Sequence, residues 1–344
     1  MDVFVTGGSG FIGRHLLRAL TEAGHRVRAL ARSDAAAAVV EKGGAEAVRG
    51  DLLDRDALRA GMAGCAAVVH AAAVTDQWGP PSRFLRVNVD GTRAVLDAAR
   101  EAGAGRLVLV STEAVLADGG PLVRVDESRP RPARPAGWYA RSKALAEDLV
   151  LTASERDASR AGSGPDGLVA MAVRPRLVWG PGDTTVLPEI VKAARAGRFA
   201  WVDGGRYLTS TCHVGNACHG ILCALERGRG GRAYFLTDGE PVELRAFLTA
   251  LAATAGVRLP GRSLPRGLLR AVAAAGEAAW RGLPLPGAPP VTRTFLALSA
   301  QEMTVDDTRA RTELGYRPLL TREQGLAELA AGFAAGDRRE DGTR

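Results

Sequence analysis

The sequence has few aromatic residues and no concentrated basic region, and both absences bear on its partners. Phe, Trp and Tyr make up 5% of the 344 residues, and the net charge is +7. A nucleic-acid-binding surface combines a basic stripe with interleaved aromatic side chains. The arginines here are scattered, and their densest cluster is Arg338 and Arg339. We therefore interpret the charge as a solvated arginine-rich surface and expect no nucleic acid partner.

Cysteines are also few, and long apolar runs are lacking. Four cysteines in a chain of this length do not indicate a disulfide framework. Cys212-His213 and Cys218-His219 match no standard zinc spacing, so we expect buried thiols and no metal site. No run of about 18 apolar residues is present, which argues against an integral membrane segment. The N-terminus enters a strand directly, and these features together favour a cytoplasmic location.

The residues present predict an α/β fold, a doubly wound parallel sheet (Rossmann fold). Six apolar runs alternate with helical stretches: DVFVT, HRVRALAR, AEAVRGDL, AAVVHAAA, RLVLVST and GLVAMAVRP. Asp54 is a predicted N-cap of one of these helices. We assign residues 1–175 to a dinucleotide-binding domain.

Proline- and glycine-rich loops dominate the chain after residue 175. We expect a smaller α/β substrate-binding lobe at 176–335, partly interleaved with the first domain, and a disordered tail at 336–344. Residues 159–167 are predicted to form a flexible loop. The segment 265–287 is predicted to be an amphipathic helix that covers an apolar pocket. Membrane contact stays as the alternative, although its alanine-rich face is a weak anchor.

A glycine turn follows the first strand and opens the first helix. Gly7, Gly10 and Gly13 have G-x-x-G-x-x-G spacing, and this context is typical of a dinucleotide phosphate site. Gly7 permits the tight turn, Gly10 lets the backbone approach the pyrophosphate, and Gly13 lets helix and strand pack closely. The amides of Phe11 and Ile12 are expected to face the phosphates.

The end of the second strand predicts which dinucleotide binds. Arg32 stands where an acidic residue would bind a free ribose 2′-hydroxyl, and its guanidinium favours a 2′-phosphate. NADP is therefore predicted, with NAD still possible and Arg32 stacking on adenine as the alternative. Further cofactor contacts are expected after the third and fourth strands, at Asp51, Leu52, Ala71, Ala72 and Ala73.

Candidate catalytic groups lie at the predicted carboxyl edge of the sheet, where ligands bind in this architecture. Tyr139 and Lys143 are four residues apart and so share one helix face. The lysine cation is expected to lower the pKa of the phenol, which then gives or takes a proton. Ser111 and Thr112 place a pair of hydroxyls at the end of the fifth strand. The alternative is that Tyr139 is a core phenol.

These motifs, together with NVDGT and RPRLVWGPGD, resemble the extended short-chain dehydrogenase/reductase superfamily over nearly the whole chain. The 3β-hydroxysteroid dehydrogenase-like branch is the most similar. The resemblance implies that Tyr139 is the proton donor or acceptor, that Lys143 is its partner and that Asn88 is structural. It also implies that a strand-end hydroxyl orients the substrate, and alignment at Val115 makes this Thr112, with Ser111 a lesser candidate. It also implies cofactor contacts from Ser111, Tyr139, Lys143, Pro175, Leu177 and Val178.

Two departures from related enzymes narrow the reaction. Sugar dehydratases carry Thr-Asp-Glu before Val at the strand end, whereas this chain has Thr112, Glu113 and Ala114. One carboxylate cannot easily serve as both acid and base, so Glu113 is interpreted as a bystander or a pocket contact. Nucleotide-sugar epimerases carry an arginine four residues before the histidine that corresponds to His213. This chain has Thr209 at that position, and Arg206 is off register.

The remaining prediction is an NAD(P)-dependent ketone reductase or secondary-alcohol dehydrogenase. Its substrate would be bulky and largely apolar, either sterol-like or similar to a 2-alkyl-3-keto acid. A nucleotide-sugar epimerase with tightly bound NAD is the first alternative. A non-catalytic dinucleotide-binding protein is the second, and Tyr139 with Lys143 argues against it. A homodimer is usual in the superfamily and is expected here.

Overall fold

The computed structural model describes residues 1–160, 167–283 and 285–341. Most of the predicted flexible loop at 159–167, and residues 342–344 of the predicted tail, lie outside this range. The strands are β1 Asp2–Thr6, β2 Arg26–Ala31, β3 Glu46–Arg49, β4 Ala67–His70, β5 Arg106–Val110, β6 Leu122–Val125, β7 Val169–Pro175, β8 Val178–Trp179, β9 Trp201–Val202, β10 Leu208–Thr209, β11 Cys212–His213, β12 Ala233–Leu236, β13 Val242–Glu243, β14 Ser263–Leu264 and β15 Met303–Val305.

Helices follow most of these strands. They are α1 Phe11–Glu22, α2 Asp34–Lys42, α3 Arg55–Met62, α4 Pro81–Phe84, α5 Gly91–Glu101, α6 Gly137–Arg160, α7 Leu187–Arg195, α8 Val214–Arg227, α9 Leu244–Thr254, α10 Arg266–Gly282, α11 Arg293–Ser299, α12 Thr308–Glu313 and α13 Arg322–Asp341. A π-helical stretch, Leu85–Asp90, joins α4 to α5, and a short 3₁₀ helix, Glu113–Leu116, follows β5.

Seven parallel strands form the main sheet in the order β12-β7-β5-β4-β1-β2-β3. The chain leaves the centre in one direction through β2 and β3, then returns to build the other half from β4. The strand order therefore reverses between β1 and β4, and ligands of such sheets bind in the crevice at that point. The predicted doubly wound fold is confirmed.

Helices cover both faces of this sheet, which explains why its strands are apolar at nearly every position. In β1, Val3 and Val5 point into the core under α1 and α8, and Phe4 points into the core under α3, α5 and α6. Asp54 caps α3 as predicted, because its carboxylate accepts a hydrogen bond from the Ala57 amide at 3.0 Å.

A second, smaller lobe covers the carboxyl ends of β5 and β7. Its main sheet has the order β13-β10-β15-β6, and β6 comes from the first half of the chain. Conversely, β12 lies on the edge of the large sheet although it follows residue 175. The two parts of the chain therefore interleave, and a cluster around Val115, Phe235 and Met303 joins them.

The last helix extends beyond its predicted end. Residues 336–341 belong to α13, although they fall in the segment predicted to be disordered. A capping box starts this helix: the Thr321 amide donates to Gln324 Oε1 at 2.8 Å, and the Gln324 amide donates to Thr321 Oγ1 at 3.3 Å. Within the described ranges, no helix is both long enough and apolar enough to cross a membrane.

Candidate active site

The glycine turn leaves no room for side chains where β1 meets α1. Gly7 has φ +78°, and a Cβ there would lie 2.6 Å from the Ala72 amide nitrogen. A Cβ on Gly13 would lie 2.0 Å from the Gly7 carbonyl oxygen. Helix α1 then starts at Phe11, and its N-cap, Gly10, offers no side-chain cap to the first amides. Free amides and a bare backbone groove fit a dinucleotide pyrophosphate.

The predicted adenine end is exposed. Arg32 follows β2 and is open to solvent, and the next residue, Ser33, caps α2. Asp51 is also exposed, and its carboxylate accepts a hydrogen bond from the Leu53 amide at 3.3 Å. Leu52 is half-buried and packs against Gly91, so it supports this edge from inside.

A buried histidine supports the turn from below, and sequence reasoning had missed it. His70 Nδ1 lies 2.7 Å from Thr6 Oγ1, and Nε2 lies 2.9 Å from Thr92 Oγ1. Thr92 donates its proton to the Asn88 carbonyl at 2.6 Å, so Nε2 of His70 is the protonated nitrogen. Burial, reinforced by the Lys143 cation, lowers the pKa of His70 to about 3. The imidazole is therefore neutral.

Asn88 connects the loop after β4 to α6. Its Oδ1 accepts a hydrogen bond from the Val74 amide at 2.8 Å, and its Nδ2 donates to Ser142 Oγ at 2.9 Å. Ser142 in turn donates to the Tyr139 carbonyl at 2.9 Å. The π-helical stretch turns Asn88 inward, where it is buried. These hydrogen bonds therefore hold α6, the helix that carries Tyr139 and Lys143, against the loop after β4.

Tyr139 and Lys143 share one face of α6, but their electrostatics differ from expectation. Lys143 is buried and donates to the Val110 carbonyl at 2.6 Å, and burial lowers its pKa to about 8 against the opposing effect of Glu147. Burial raises the pKa of the half-buried Tyr139, and the Glu113 charge adds to this. The expected lowering of the phenol pKa by Lys143 is not found, because burial and the Glu113 charge dominate and raise it.

Ser111 and Thr112 are consecutive but lie in different networks. Ser111 donates to Glu147 Oε2 at 2.6 Å, and the Glu147 carboxylate is paired with Arg174 at 2.5 and 3.0 Å. Glu147 and Arg174 are both buried. The Ser111 hydroxyl is therefore engaged within the protein, on the α6 side of β5.

Thr112 faces the other way, toward Tyr139. Its hydroxyl donates to Glu113 Oε2 at 2.8 Å, and Glu113 Oε1 lies 3.2 Å from Arg176 Nη1. Both members of this ion pair are buried. Thr112 also hydrogen-bonds the Tyr139 phenol, and this contact lowers the phenol pKa against the larger effect of burial. Glu113 is thus no bystander, since it sets the polarity of the Thr112 hydroxyl.

The backbone after β7 returns to the glycine turn. Pro175 ends β7, and Leu177 has φ +44°, a left-handed conformation that costs a non-glycine residue energy. The Leu177 carbonyl accepts a hydrogen bond from the Cys212 amide at 3.3 Å, so β8, which includes Val178, pairs with β11. His15 on α1 then contacts the Pro181 carbonyl at 2.7 Å. This strained backbone lies where nicotinamide contacts were predicted.

This chain has no cation at the position where nucleotide-sugar epimerases carry an arginine. Thr209 is fully buried in β10, and Arg206 is exposed on the preceding loop.

A second residue that sequence reasoning missed holds the neighbouring strands together. Asp238 accepts hydrogen bonds from Trp179 Nε1, Thr211 Oγ1, the His213 amide and Asn216 Nδ2, all at 2.6–2.8 Å.

A cavity of about 860 Å³ lies against the first turn of α6. Ala136, Gly137 and Trp138, the residues immediately before Tyr139, form part of its wall. The pocket predicted here was apolar, and the cavity differs: it combines apolar and aromatic surface with five arginines and two carboxylates. Its charged and tryptophan lining consists of Trp78, Asp118, Trp138, Arg141, Arg266, Arg270, Glu277, Trp280, Arg281 and Arg293.

A glycine-turn crevice at the point where strand order reverses, with a Tyr-Lys pair and a strand-end hydroxyl beside it, defines a short-chain dehydrogenase/reductase site. The comparison with protein families is consistent with that class. Residues 4–266 match the model of the 3-beta hydroxysteroid dehydrogenase/isomerase family, and the chain belongs to this family.

Individual relatives extend over nearly the whole chain. The 4-hydroxy-2-methyl-3-oxo-4-farnesyl-3,4-dihydroquinoline-1-oxide ketoreductase of Stigmatella aurantiaca is 50% identical over 98% of both chains. The 2-alkyl-3-oxoalkanoate reductase of Stenotrophomonas maltophilia is 35% identical over 97% of this chain and all of its own. Among solved structures, the NAD-bound dTDP-glucose 4,6-dehydratase DesIV of Streptomyces venezuelae matches with a TM-score of 0.74, 26% identity and 97% coverage of each chain.

Proposed function

We propose that this protein is an NAD(P)-dependent ketone reductase, or secondary-alcohol dehydrogenase, acting on a bulky substrate with a large apolar part. The observation that carries the proposal is Tyr139, hydrogen-bonded to Thr112, directly after the residues Ala136, Gly137 and Trp138 that line a cavity large enough for such a substrate. Support comes from two relatives whose names state reduction of a farnesylated quinoline oxide and of a 2-alkyl-3-oxoalkanoate.

The residues divide the chemistry simply. The bound cofactor supplies the hydride that reduces a ketone. Tyr139 donates its phenolic proton to the alkoxide oxygen, and it is well prepared for this because burial and Glu113 keep it protonated. Lys143 lies one helical turn away and is predicted to bind the nicotinamide ribose in place of the Val110 carbonyl. Thr112 hydrogen-bonds the phenol and orients it.

The proposed cofactor is NADP, and the argument rests on Arg32. This guanidinium is exposed at the end of β2, where a 2′-phosphate would lie. Titration of the protein with NADPH and NADH tests this. We expect tighter NADPH binding in the natural chain and a reversal of the preference in Arg32→Asp. A clear NADH preference in the natural chain would contradict the assignment.

A ketone panel tests the reaction itself. Purified protein, NADPH or NADH, and ketones ranging from sterols to 2-alkyl-3-keto acids should give net oxidation of the reduced cofactor. Activity confined to nucleotide sugars, with no net consumption of cofactor, would instead identify an epimerase.

We further propose a homodimer and a reducing, cytoplasmic compartment. All four cysteines are free and buried, which suits a reducing environment. Helices α5 and α6 pack side by side, and Leu145 on α6 is 46% exposed, as expected of a surface that a second copy covers. Light scattering after size exclusion tests the dimer, and Leu145→Glu should yield monomers.

A further inference from the structure

Helix α10 presents its charged side chains to the cavity, beside its buried apolar residues Leu269 and Ala273. Its four charged residues, Arg266, Arg270, Glu277 and Arg281, all line the cavity. On the outer surface, Leu268 and Val272 are 53% and 51% exposed. The charged side chains therefore lie at the cavity and not on the outermost surface of the helix.

The charges in this cavity do not cancel. The buried Glu277 carboxylate accepts hydrogen bonds from the Arg293 amide at 2.7 Å and Arg293 Nε at 2.9 Å, and it also binds Arg281 at 3.1 Å. Among the described residues, Arg141 and Arg270 have no carboxylate partner: Arg141 Nε donates to the Pro135 carbonyl at 3.0 Å, and Arg270 is exposed. The cavity wall thus keeps guanidinium charge available for an anion.

Indole rings accompany these guanidinium groups. Arg141 lies over the ring of Trp138, with its Cζ 5.2 Å from the ring centroid, and Arg281 lies over Trp78 at 5.4 Å. Trp280 contributes a third indole to the wall. Indole faces and stacked guanidinium planes both favour flat, conjugated ligands. The cavity therefore combines recognition of an aromatic plane with recognition of negative charge.

We propose that this cavity is a substrate subsite for a planar aromatic ring that carries an anionic oxygen, and that Arg141 and Arg270 bind this oxygen. The inference rests on the proposed ketone reductase function and specifies its substrate class. The wall includes Ala136, Gly137 and Trp138, so the subsite adjoins the start of the helix that carries Tyr139. The apolar remainder of the substrate packs against Phe84, Leu296 and neighbouring prolines.

Binding provides a test that does not depend on turnover. Calorimetry with the cofactor-loaded protein compares 2-naphthoate with 2-naphthamide, which have the same ring but differ in charge. We expect naphthoate to bind about 10- to 100-fold more tightly, the difference expected for one or two charge-assisted hydrogen bonds. Arg141→Gln and Arg270→Gln should each remove most of this preference. Arg195→Gln is the matched control, since this exposed arginine of α7 lies outside the cavity lining.

Turnover separates this inference from the function on which it rests. The ketones 6-acetyl-2-naphthoate and 6-acetyl-2-naphthamide differ in the same way, and we expect a lower KM for the anion. Equal reduction of both would overturn the anionic subsite and leave the reductase standing. Preferential naphthoate binding without reduction of any ketone would instead sustain the subsite and remove the reductase. Failure of 2-naphthoate to bind overturns the subsite.

Discussion

Two hydroxyl–carboxylate–guanidinium triads lie side by side at the end of β5. They have similar chemistry, and their hydroxyls belong to the consecutive residues Ser111 and Thr112. Ser111, Glu147 and Arg174 form one, which we name the inner triad. The outer triad consists of Thr112, Glu113 and Arg176. Each contains a buried ion pair, 2.5 Å long in the inner triad and 3.2 Å in the outer one.

Their surroundings are what differ. The inner triad is enclosed between β5, β7 and α6, and its carboxylate is fully buried. The outer triad contacts the Tyr139 phenol and adjoins the candidate site. A buried charge pair does little for net stability but is costly to break. The inner triad is therefore structural, whereas the outer triad acts on a reacting group. The neighbours of each triad, and not its residue types, determine its role.

The largest expected effect belongs to the phenol that only the outer triad contacts. In Tyr139→Phe we expect kcat to fall by about 10²- to 10⁴-fold, as for removal of a general acid, with cofactor binding retained. Tyr207→Phe is the matched control, since that hydroxyl donates to the Ser299 carbonyl. Steady-state kinetics and cofactor titration measure both variants. Retained turnover in Tyr139→Phe would refute the assignment.

The inner triad should dominate stability. Glu147→Ala leaves Arg174 buried without its partner, so we expect a loss of about 3–5 kcal/mol in the free energy of unfolding. Urea denaturation of the variant and the natural chain measures this loss. A change below about 1 kcal/mol, the usual size for an exposed pair, would mean that the inner triad is not structural.

Lys143, bonded to the carbonyl just before Ser111, should make stability depend on pH. Its pKa is about 8 in the folded chain and about 10.5 when unfolded. Between these values the unfolded chain binds more protons, so this group makes the cofactor-free protein more stable as pH rises through that range. Lys143→Met should abolish this contribution. Denaturation at pH 7.5 and 9.5 tests it, and an unchanged pH dependence in the variant would contradict the burial of a charged lysine.

The smallest expected effect is a change in the pH dependence of kcat that only the outer triad should produce. The Glu113 charge raises the pKa of Tyr139, so Glu113→Gln lowers it. Ketone reduction requires protonated Tyr139, and the alkaline fall in kcat should therefore begin at lower pH, by about one unit. Ser111→Ala removes a hydroxyl of the inner triad and should leave the pH of the alkaline fall in kcat unchanged. If both variants shift it equally, the distinction between the triads fails.

Local spacing was enough to predict much of this molecule. Strand–helix alternation, the turn at Gly7 and Gly13, and the Asp54 cap each depend on residues close in sequence, and the structure bears them out. The two triads depend on tertiary contacts: Glu147 meets Arg174, and Glu113 meets Arg176, only once β5, β7 and α6 are assembled. Their partners could not be assigned from spacing.

Helix α10 shows a second kind of limit. Its pattern predicts an amphipathic helix correctly, but the usual rule assigns the apolar face to the protein interior. Leu269 and Ala273 follow this rule and are buried, whereas the charged residues of the helix line the cavity. The pattern alone therefore does not show that the helix borders a charged cavity. The role of the buried His70 was missed for a related reason, since its threonine partners lie 64 and 22 residues away.

The distribution of tryptophan gives the protein a built-in optical reporter. Of its five tryptophans, Trp179 and Trp201 are buried away from the cavity, whereas Trp78, Trp138 and Trp280 line it. An aromatic compound that enters the cavity therefore stacks near the indoles that solvent already reaches. Their emission should be quenched while the blue-shifted emission of the buried pair persists, so occupancy can be followed without any label.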